Sequence, residues 1–117
     1  MVPELIDLRP DHLDEVRRLL ARFLPESEVW AYGSRVTGKA EPASDLDLVV
    51  RIPRNLTERQ PFAFWDLREA FSEGNLPFLV DLLDWAAIPE NFRREIEKSH
   101  VVVQDVKGIN HDPRRIT

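Results

Sequence analysis

The sequence predicts one α/β (α+β) domain in which short strands alternate with helices, and three observations carry this prediction. The 117 residues are enough for one modest core, and a composition that is 43% hydrophobic and 32% charged is typical of a soluble globular protein. Short apolar runs bounded by Gly or Pro favour strands, and apolar residues spaced by three and four favour helices between them. We expect one domain over residues 1–107 and a flexible polar tail over residues 108–117.

The first half of the chain predicts a helix followed by two strands. Apolar residues recur at helical spacing over residues 8–24, with Asp11 as the N-cap, and Pro25 ends the helix. Residues 29–32 are apolar on both faces, which favours a strand in the centre of the sheet. Residues 48–52 form a second apolar run, and we expect a second strand there.

A capping box predicts the next helix. Residues 57–60 read Thr-Glu-Arg-Gln, and we expect a helix that starts there with Pro61 in its first turn. The helix is expected to end before Gly74. Its predicted inward-facing residues are Phe64, Leu67 and Phe71.

The last part of the chain predicts a third strand, a helix and a fourth strand. Residues 78–85 are an apolar run that contains two aspartates, and they favour a strand. Residues 89–98 favour a helix with Pro89 in its first turn. Residues 100–106 favour a final strand, which we place at the edge of the sheet.

A Gly-Ser pair follows the first strand, and an Asp-x-Asp pair opens the second. Ten residues separate Gly33-Ser34 from Asp45 and Asp47. Because side chains alternate along a strand, the two aspartates point to one face and the leucine between them points to the other. Two close carboxylates repel each other, and a divalent cation is the usual compensation. The pair therefore indicates a metal site.

The Gly-Ser turn suits phosphate. Gly33 permits a positive φ or a close approach of the backbone, and free N–H groups at the start of a following helix favour phosphate. A single Gly-Ser pair usually marks an ordinary turn, and an Asp-x-Asp pair arises readily by chance. Their conjunction at the ends of two apolar strands predicts chemistry on a nucleoside triphosphate.

Two aspartates compete to supply a third carboxylate. On the third strand, Asp81 shares a face with Leu79 and Leu83, whereas Asp84 falls on the opposite face near the strand exit. An ionised Asp in an apolar strand is costly unless it is paired or bound to metal, which favours Asp81. Asp84 is interpreted as a cap or turn residue. The alternative for Asp81 is a structural salt bridge with Arg51 or Arg35.

Composition narrows the classes of function. The chain has no cysteine, so it has no disulfide framework and no thiolate metal site, and its net charge of −5 argues against a general nucleic-acid binder. Its three Arg-Arg pairs are interpreted as solvated surfaces. We find neither an apolar run that could span a bilayer nor a signal peptide, and we expect a cytoplasmic protein without membrane association. His12, His100 and His111 lack neighbours at ligand spacing and are expected at surface or capping positions.

The motif Gly33-Ser34-Arg35-x-x-Gly38, followed by Ser44-Asp45-Leu46-Asp47-Leu48, resembles that of the minimal nucleotidyltransferases (MNT) of the DNA polymerase beta superfamily. The resemblance covers residues 29–103. It implies a small mixed β-sheet backed by helices, with the active site on the open side of the sheet. It also implies two Mg²⁺ ions and ATP as substrate: an acceptor hydroxyl attacks the α-phosphorus and pyrophosphate leaves.

The resemblance implies roles for individual residues. Asp45, Asp47 and Asp81 would be the catalytic, metal-binding acids. Ser34, with the backbone near Gly33, would hold the β- and γ-phosphates. Two further nucleotide-binding assignments leave an alternative open. Arg35 would neutralise phosphate charge or face solvent, and Ser44 would hydrogen-bond a carboxylate or cap a turn.

The MNT resemblance also implies a role as an antitoxin. Proteins of this kind are paired with a small helical HEPN protein, an RNase toxin, and some transfer AMP from ATP to a tyrosine of that partner. One alternative is a catalytically silent antitoxin that binds its partner through the aromatic helix around Phe62 and Trp65. Another is a nucleotidyltransferase that acts on a small molecule or on RNA. The sequence leaves open whether the protein is a homodimer.

Overall fold

The computed structural model describes residues 6–105. Over this range the chain forms five α-helices, one short 3₁₀-helix and four strands. Their bounds are α1 Pro10–Phe23, β1 Glu28–Tyr32, α2 Ser34–Thr37, β2 Leu46–Arg51, α3 Arg54–Arg59, α4 Ala63–Glu73, β3 Val80–Asp84, the 3₁₀-helix Trp85–Ala87, α5 Glu90–Lys98 and β4 Val101–Gln104. The predicted tail over residues 108–117, Val106 and His111 lie outside the described residues.

The four strands form one mixed sheet in the order β3-β2-β1-β4. β1 pairs antiparallel with both β2 and β4, whereas β2 and β3 are parallel. The predicted α/β fold with a small mixed sheet is therefore confirmed, as are the internal position of β1 and the edge position of β4. The register places Tyr32 opposite Asp47 and Asp47 opposite Asp81, so three polar residues form one row across three strands.

One face of the sheet carries the core. Leu46, Leu48 and Val50 alternate along β2 and are fully buried, and α1 and α4 contact each other on this side. Alternation then turns Asp47 and its row neighbours to the opposite face, where α5 covers only one end through an edge-to-face contact between Phe92 and Tyr32. The result is two layers, with a partly open sheet surface on the side away from the core.

The predicted start of the aromatic helix is wrong. Thr57 lies inside α3, where its hydroxyl donates to the carbonyl of Pro53 at 3.4 Å, and α4 starts only at Ala63. The cause is Pro61, because a residue that precedes proline is excluded from helical backbone and Gln60 accordingly has φ −136° and ψ 73°. The chain therefore forms two helices where the capping box predicted one.

The structure also tests the predicted N-cap of α1, the inward residues of α4 and the place of His100. Asp11 is not the N-cap of α1: Arg9 takes that position, and the two side chains form an exposed ion pair at 3.0 Å. The inward positions of Leu67 and Phe71 are confirmed, and His100 contacts the carbonyl of Ile96 in the last turn of α5. Along residues 6–105, no helix has both the length and the apolar character needed to cross a membrane.

Candidate active site

The turn after β1 brings the backbone against an aspartate. Gly33 has φ 83° and ψ −155°, which an L side chain rarely adopts, and a Cβ built on it would overlap Oδ2 of Asp47. The short helix α2 follows at once and is closed by Gly38 in the left-handed conformation. Glycine is therefore required at position 33 for two reasons, the backbone angle and the contact with Asp47.

The acid row lies directly beside this turn. Asp47 stands between Tyr32 on β1 and Asp81 on β3, and all three side chains point to the open face. Asp45 precedes β2 by one residue, has the parity of Asp47 and is exposed. The structure thus places the turn, Asp47 and Asp81 side by side, with Asp45 two residues before Asp47.

The row carries unbalanced negative charge. Burial, followed by the charges of Asp81 and Asp45, raises the pKa of Asp47 to about 6 from an ordinary value of 3.8. Burial, followed by the charges of Asp47 and Asp81, raises the pKa of Tyr32 above its ordinary value. Each shift shows that this corner of the sheet disfavours negative charge in the absence of a cation.

The donor set of the row fits a hard divalent cation. Carboxylate oxygens are the ligands that Mg²⁺ prefers, and a cation would remove the repulsion that raises the pKa of Asp47. In the part of the chain that the structure describes, no three His, Cys, Asp or Glu side chains lie close enough together to hold a metal ion as they stand. Asp45, Asp47 and Asp81 are the residues that would hold the ion, with exposed Asp45 free to reorient toward it.

The competition between Asp81 and Asp84 is resolved by the strand. Asp81 lies opposite Asp47, whereas Oδ1 of Asp84 accepts a hydrogen bond from the N–H of Ala86 at 3.0 Å and caps the 3₁₀-helix. The salt-bridge alternative for Asp81 is not observed within residues 6–105. Arg51 instead stacks on Trp85, with its guanidinium carbon 5.0 Å from the ring centroid.

Arg35 does not reach the site. Its side chain is 6% exposed, so the solvent-facing alternative is wrong, and its guanidinium donates to three backbone carbonyls. Nη1 bonds to Asp7 at 2.8 Å, Nη2 bonds to Pro42 at 3.0 Å, and Nε and Nη2 bond to Ser44 at 3.1 and 2.9 Å. These bonds leave the guanidinium facing the loop rather than the turn, so the arginine holds the loop that leads to Asp45.

Ser44 belongs to the same loop. Its hydroxyl accepts a hydrogen bond from the N–H of Glu41 at 2.8 Å, and its carbonyl accepts from Arg35. The turn-capping alternative for Ser44 is therefore the one that the structure shows. Both residues fix the path of the chain into β2 rather than line the acid row.

Sequence reasoning missed one member of the row, Tyr32. The apolar run over residues 29–32 predicts only a strand, although strand parity with buried Ala31 places both Trp30 and Tyr32 on the open face. Trp30 stacks on His100, with 3.9 Å between the ring centroids, in the next row of the same face. The signal for this placement is the alternation of the aromatic residues Trp30 and Tyr32 with Val29 and Ala31 immediately before Gly33.

A family comparison agrees with this geometry. The sequence model of the nucleotidyltransferase domain matches residues 13–109 of the chain. The chain belongs to the nucleotidyltransferase-domain family.

Individual relatives are consistent with this family. The nucleotidyltransferase chain is 44% identical over 103 residues to the probable protein adenylyltransferase MntA of Haemophilus influenzae. The aligned region covers 86% of this chain and 85% of the relative. A crystal structure of a toxin–antitoxin with AMP-PNP superposes with a TM-score of 0.65 at 20% identity, over 81% of this chain and 74% of that one. A crystal structure of a mutant of the toxin–antitoxin MntA-HpeT superposes with a TM-score of 0.64 at 18% identity, again over 81% of this chain and 74% of that one. These two structures show that the nucleotidyltransferase fold is shared.

Proposed function

We propose that this nucleotidyltransferase transfers AMP from ATP to a hydroxyl group of a protein partner and thereby acts as an antitoxin. The observation that carries the proposal is the acid row: Asp47 faces Asp81 across a parallel strand pair and touches the backbone of Gly33. A nucleotide whose phosphates lie on the turn has its α-phosphorus beside the carboxylates.

Individual residues of the chain then have separate roles in the reaction. Gly33 and Ser34 receive the phosphates, because the first N–H groups of a helix have no partner within it. The acceptor oxygen bonds to the α-phosphorus, the bond to the bridging oxygen breaks, and pyrophosphate leaves. Asp81, on the exposed side of the row, takes the proton of the acceptor hydroxyl. Arg35 and Ser44 contribute by fixing the loop that carries Asp45.

Two Mg²⁺ ions complete the proposed site. Held by Asp45, Asp47 and Asp81, they would supply charge stabilisation to the attacking and leaving oxygens. The raised pKa of Asp47 supports this. Burial and the charges of Asp81 and Asp45 raise it, and a bound cation would offset their effect. In the MntA-HpeT mutant, two aspartates two positions apart are replaced by glutamate, which is the spacing of Asp45 and Asp47.

The proposed acceptor is a tyrosine of a helical, HEPN-type toxin. The support is the 44% identity to a probable protein adenylyltransferase and the fold shared with two toxin–antitoxin structures. The chemistry agrees, because the open face beside Asp81 leaves room for an acceptor from another molecule. The acidic net charge of −5 is unfavourable for an RNA acceptor.

The test is transfer of label from α-labelled ATP, with Mg²⁺, to a co-purified partner. Asp47→Asn and Asp81→Asn are expected to reduce transfer by at least about 100-fold, since each removes a cation ligand. Asp84→Asn is the matched control: it lies on the same strand, and an amide oxygen can keep the cap on Ala86. Undiminished transfer by both site variants, or equal loss in the control, would contradict the proposal.

A second candidate is neutralisation by binding alone. Phe62 and Trp65 are 70% and 58% exposed, and an apolar cavity of about 370 Å³ lies beside them between α4 and β3. If binding alone protects the cell, Asp47→Asn will neutralise the toxin as well as the wild type does, and Trp65→Ala will not. The transfer proposal expects the reverse for Asp47→Asn.

A further inference from the structure

A second cavity opens on the other side of the glycine turn. Its volume is about 270 Å³, and it lies between the start of α2 and the end of α5. One wall is formed by Tyr32, Gly33 and Thr37, and the facing wall includes Glu95, Lys98 and Ser99. Pockets that enclose a whole drug-sized ligand measure about 300 to 1,000 Å³, so this cavity suits part of a nucleotide rather than all of it.

Phosphates bound at the glycine turn would need a cation near them. A triphosphate on the turn would place several negative charges next to Asp47 and Asp81, which lie in the same row as Tyr32. The arginine of the motif cannot help, because Arg35 is buried and bound to backbone carbonyls. Among the described residues that line the cavity, Lys98 is the one cation.

Lys98 is free to move toward a ligand at little cost. Its ammonium contacts Oε2 of Glu95 at 3.2 Å, and the two side chains are 70% and 68% exposed. Exposed pairs three residues apart on a helix are weak, because water and salt screen them. The ammonium can therefore leave Glu95 for a more highly charged partner across the cavity.

We propose that Lys98 binds the β- and γ-phosphates of the nucleoside triphosphate from the wall opposite Gly33. Resting on the proposed function, this assignment adds a nucleotide-binding residue from α5 to the motif residues of α2. Charge-assisted bonds to phosphate are the strong ones, and an ammonium supplies up to three donors. The lysine thus takes the part that the sequence motif assigned to Arg35.

The experiment compares nucleotide affinities by calorimetry in Mg²⁺, with the full chain and without a partner. Lys98→Ala is expected to weaken the binding of a non-hydrolysable ATP analogue by at least about tenfold and to leave AMP binding unchanged, because AMP lacks the outer phosphates. Lys98→Arg is expected to recover most of the affinity. Arg94→Ala is the control: this residue is on the same helix, pairs with Glu90 at 3.1 Å and lies outside the cavity.

Any of three other outcomes would overturn the assignment of Lys98 as a phosphate-binding residue. If Lys98→Ala binds the analogue as tightly as the wild type does, the phosphates lie elsewhere, and the proposed function still stands or falls by label transfer. If Lys98→Ala weakens AMP and the analogue equally, the lysine does not act on the outer phosphates. If the wild type binds no nucleotide at all, both proposals fail.

Discussion

At the scale of single residues, the carboxylate of Asp47 lies in an environment that disfavours its charge. Asp47 is partly buried, lies against Gly33 and faces two other acids, and its pKa is raised to about 6. Active sites often carry such groups because function requires charges that the fold alone would not favour. Two predictions follow from this one side chain and its neighbour.

The first prediction concerns pH. Asp47→Asn should stabilise the protein by about 1–2 kcal/mol at pH 8 in chelator, a value reduced from the full pKa shift because solvent screens the site. Below about pH 4, Asp47 is neutral in both folded and unfolded chains, and the two proteins should be equally stable. The advantage of the variant should grow between about pH 4 and pH 6, the interval between the unfolded and folded pKa values of Asp47, and stay constant above it. Urea unfolding at several pH values measures it, and an advantage that is independent of pH would contradict this cause.

The second prediction separates two roles of glycine. Gly33 and Gly38 have φ values of 83° and 84°, but a Cβ meets Asp47 only at Gly33 and finds no atom within 4 Å at Gly38. Gly38→Ala should cost about 1 kcal/mol of stability from backbone strain and leave transfer intact. Gly33→Ala should cost more and abolish transfer. Equal effects of the two changes on label transfer would show that the contact with Asp47 is unimportant.

At the scale of elements, the loop between α2 and β2 depends on Arg35. Its guanidinium joins the carbonyls of Asp7, Pro42 and Ser44, and it lies 4.6 Å from the centroid of the Phe78 ring. The planar fork satisfies several acceptors at once, which a lysine ammonium at the end of a flexible chain cannot reproduce. The position of Asp45 therefore depends on a residue that contacts none of the three acids of the row.

This dependence gives the third prediction. Arg35→Ala should lower the free energy of unfolding by at least about 3 kcal/mol, because it removes a buried guanidinium and its hydrogen bonds to three carbonyls, and Arg35→Lys should recover little of it. Arg94→Ala should change stability by less than about 0.5 kcal/mol, since that side chain forms only an exposed pair on α5. Denaturant unfolding measures all three variants. A small effect of Arg35→Ala would show that water replaces the guanidinium in the loop.

The elements also show where sequence reasoning stops. Local patterns were enough for β1, β2 and α5, because alternation and helical spacing act within a few residues. The carbonyl partners of Arg35 come from residues 7, 42 and 44, and no local pattern contains them. Pro61 predicts the division into α3 and α4, whereas the capping box over residues 57–60 favours a single helix, and in the structure the effect of the proline prevails.

At the scale of the whole molecule, the two faces of the sheet have separate tasks. One face is the core, and the other carries the acid row and the cavity beside Lys98. The sequence predicted which side chains share a face, since parity needs no tertiary information. It did not by itself predict that β3 lies parallel beside β2, and that pairing is what brings Asp81 to Asp47. The family resemblance supplied the mixed sheet.

The fourth prediction tests this division. Leu48→Ala should destabilise the protein by about 2–5 kcal/mol, because the side chain is fully buried at the centre of the sheet. Leu79→Ala, just before β3, should change stability by less than about 0.5 kcal/mol, since that side chain is 71% exposed. Thermal and denaturant unfolding measure both. A large cost at Leu79 would show that the edge of β3 is covered in solution.

The position of Tyr32 allows its ring to report on cation binding at the acid row. It is the sole tyrosine of the chain, so selective isotope labelling yields a single ring in the NMR spectrum, and that ring looks onto Asp47 and Asp81. Magnesium added at neutral pH should shift its resonances as the two carboxylates are neutralised, and the Asp47→Asn variant should respond far less. Occupancy of the site could then be followed without nucleotide, toxin or any attached dye.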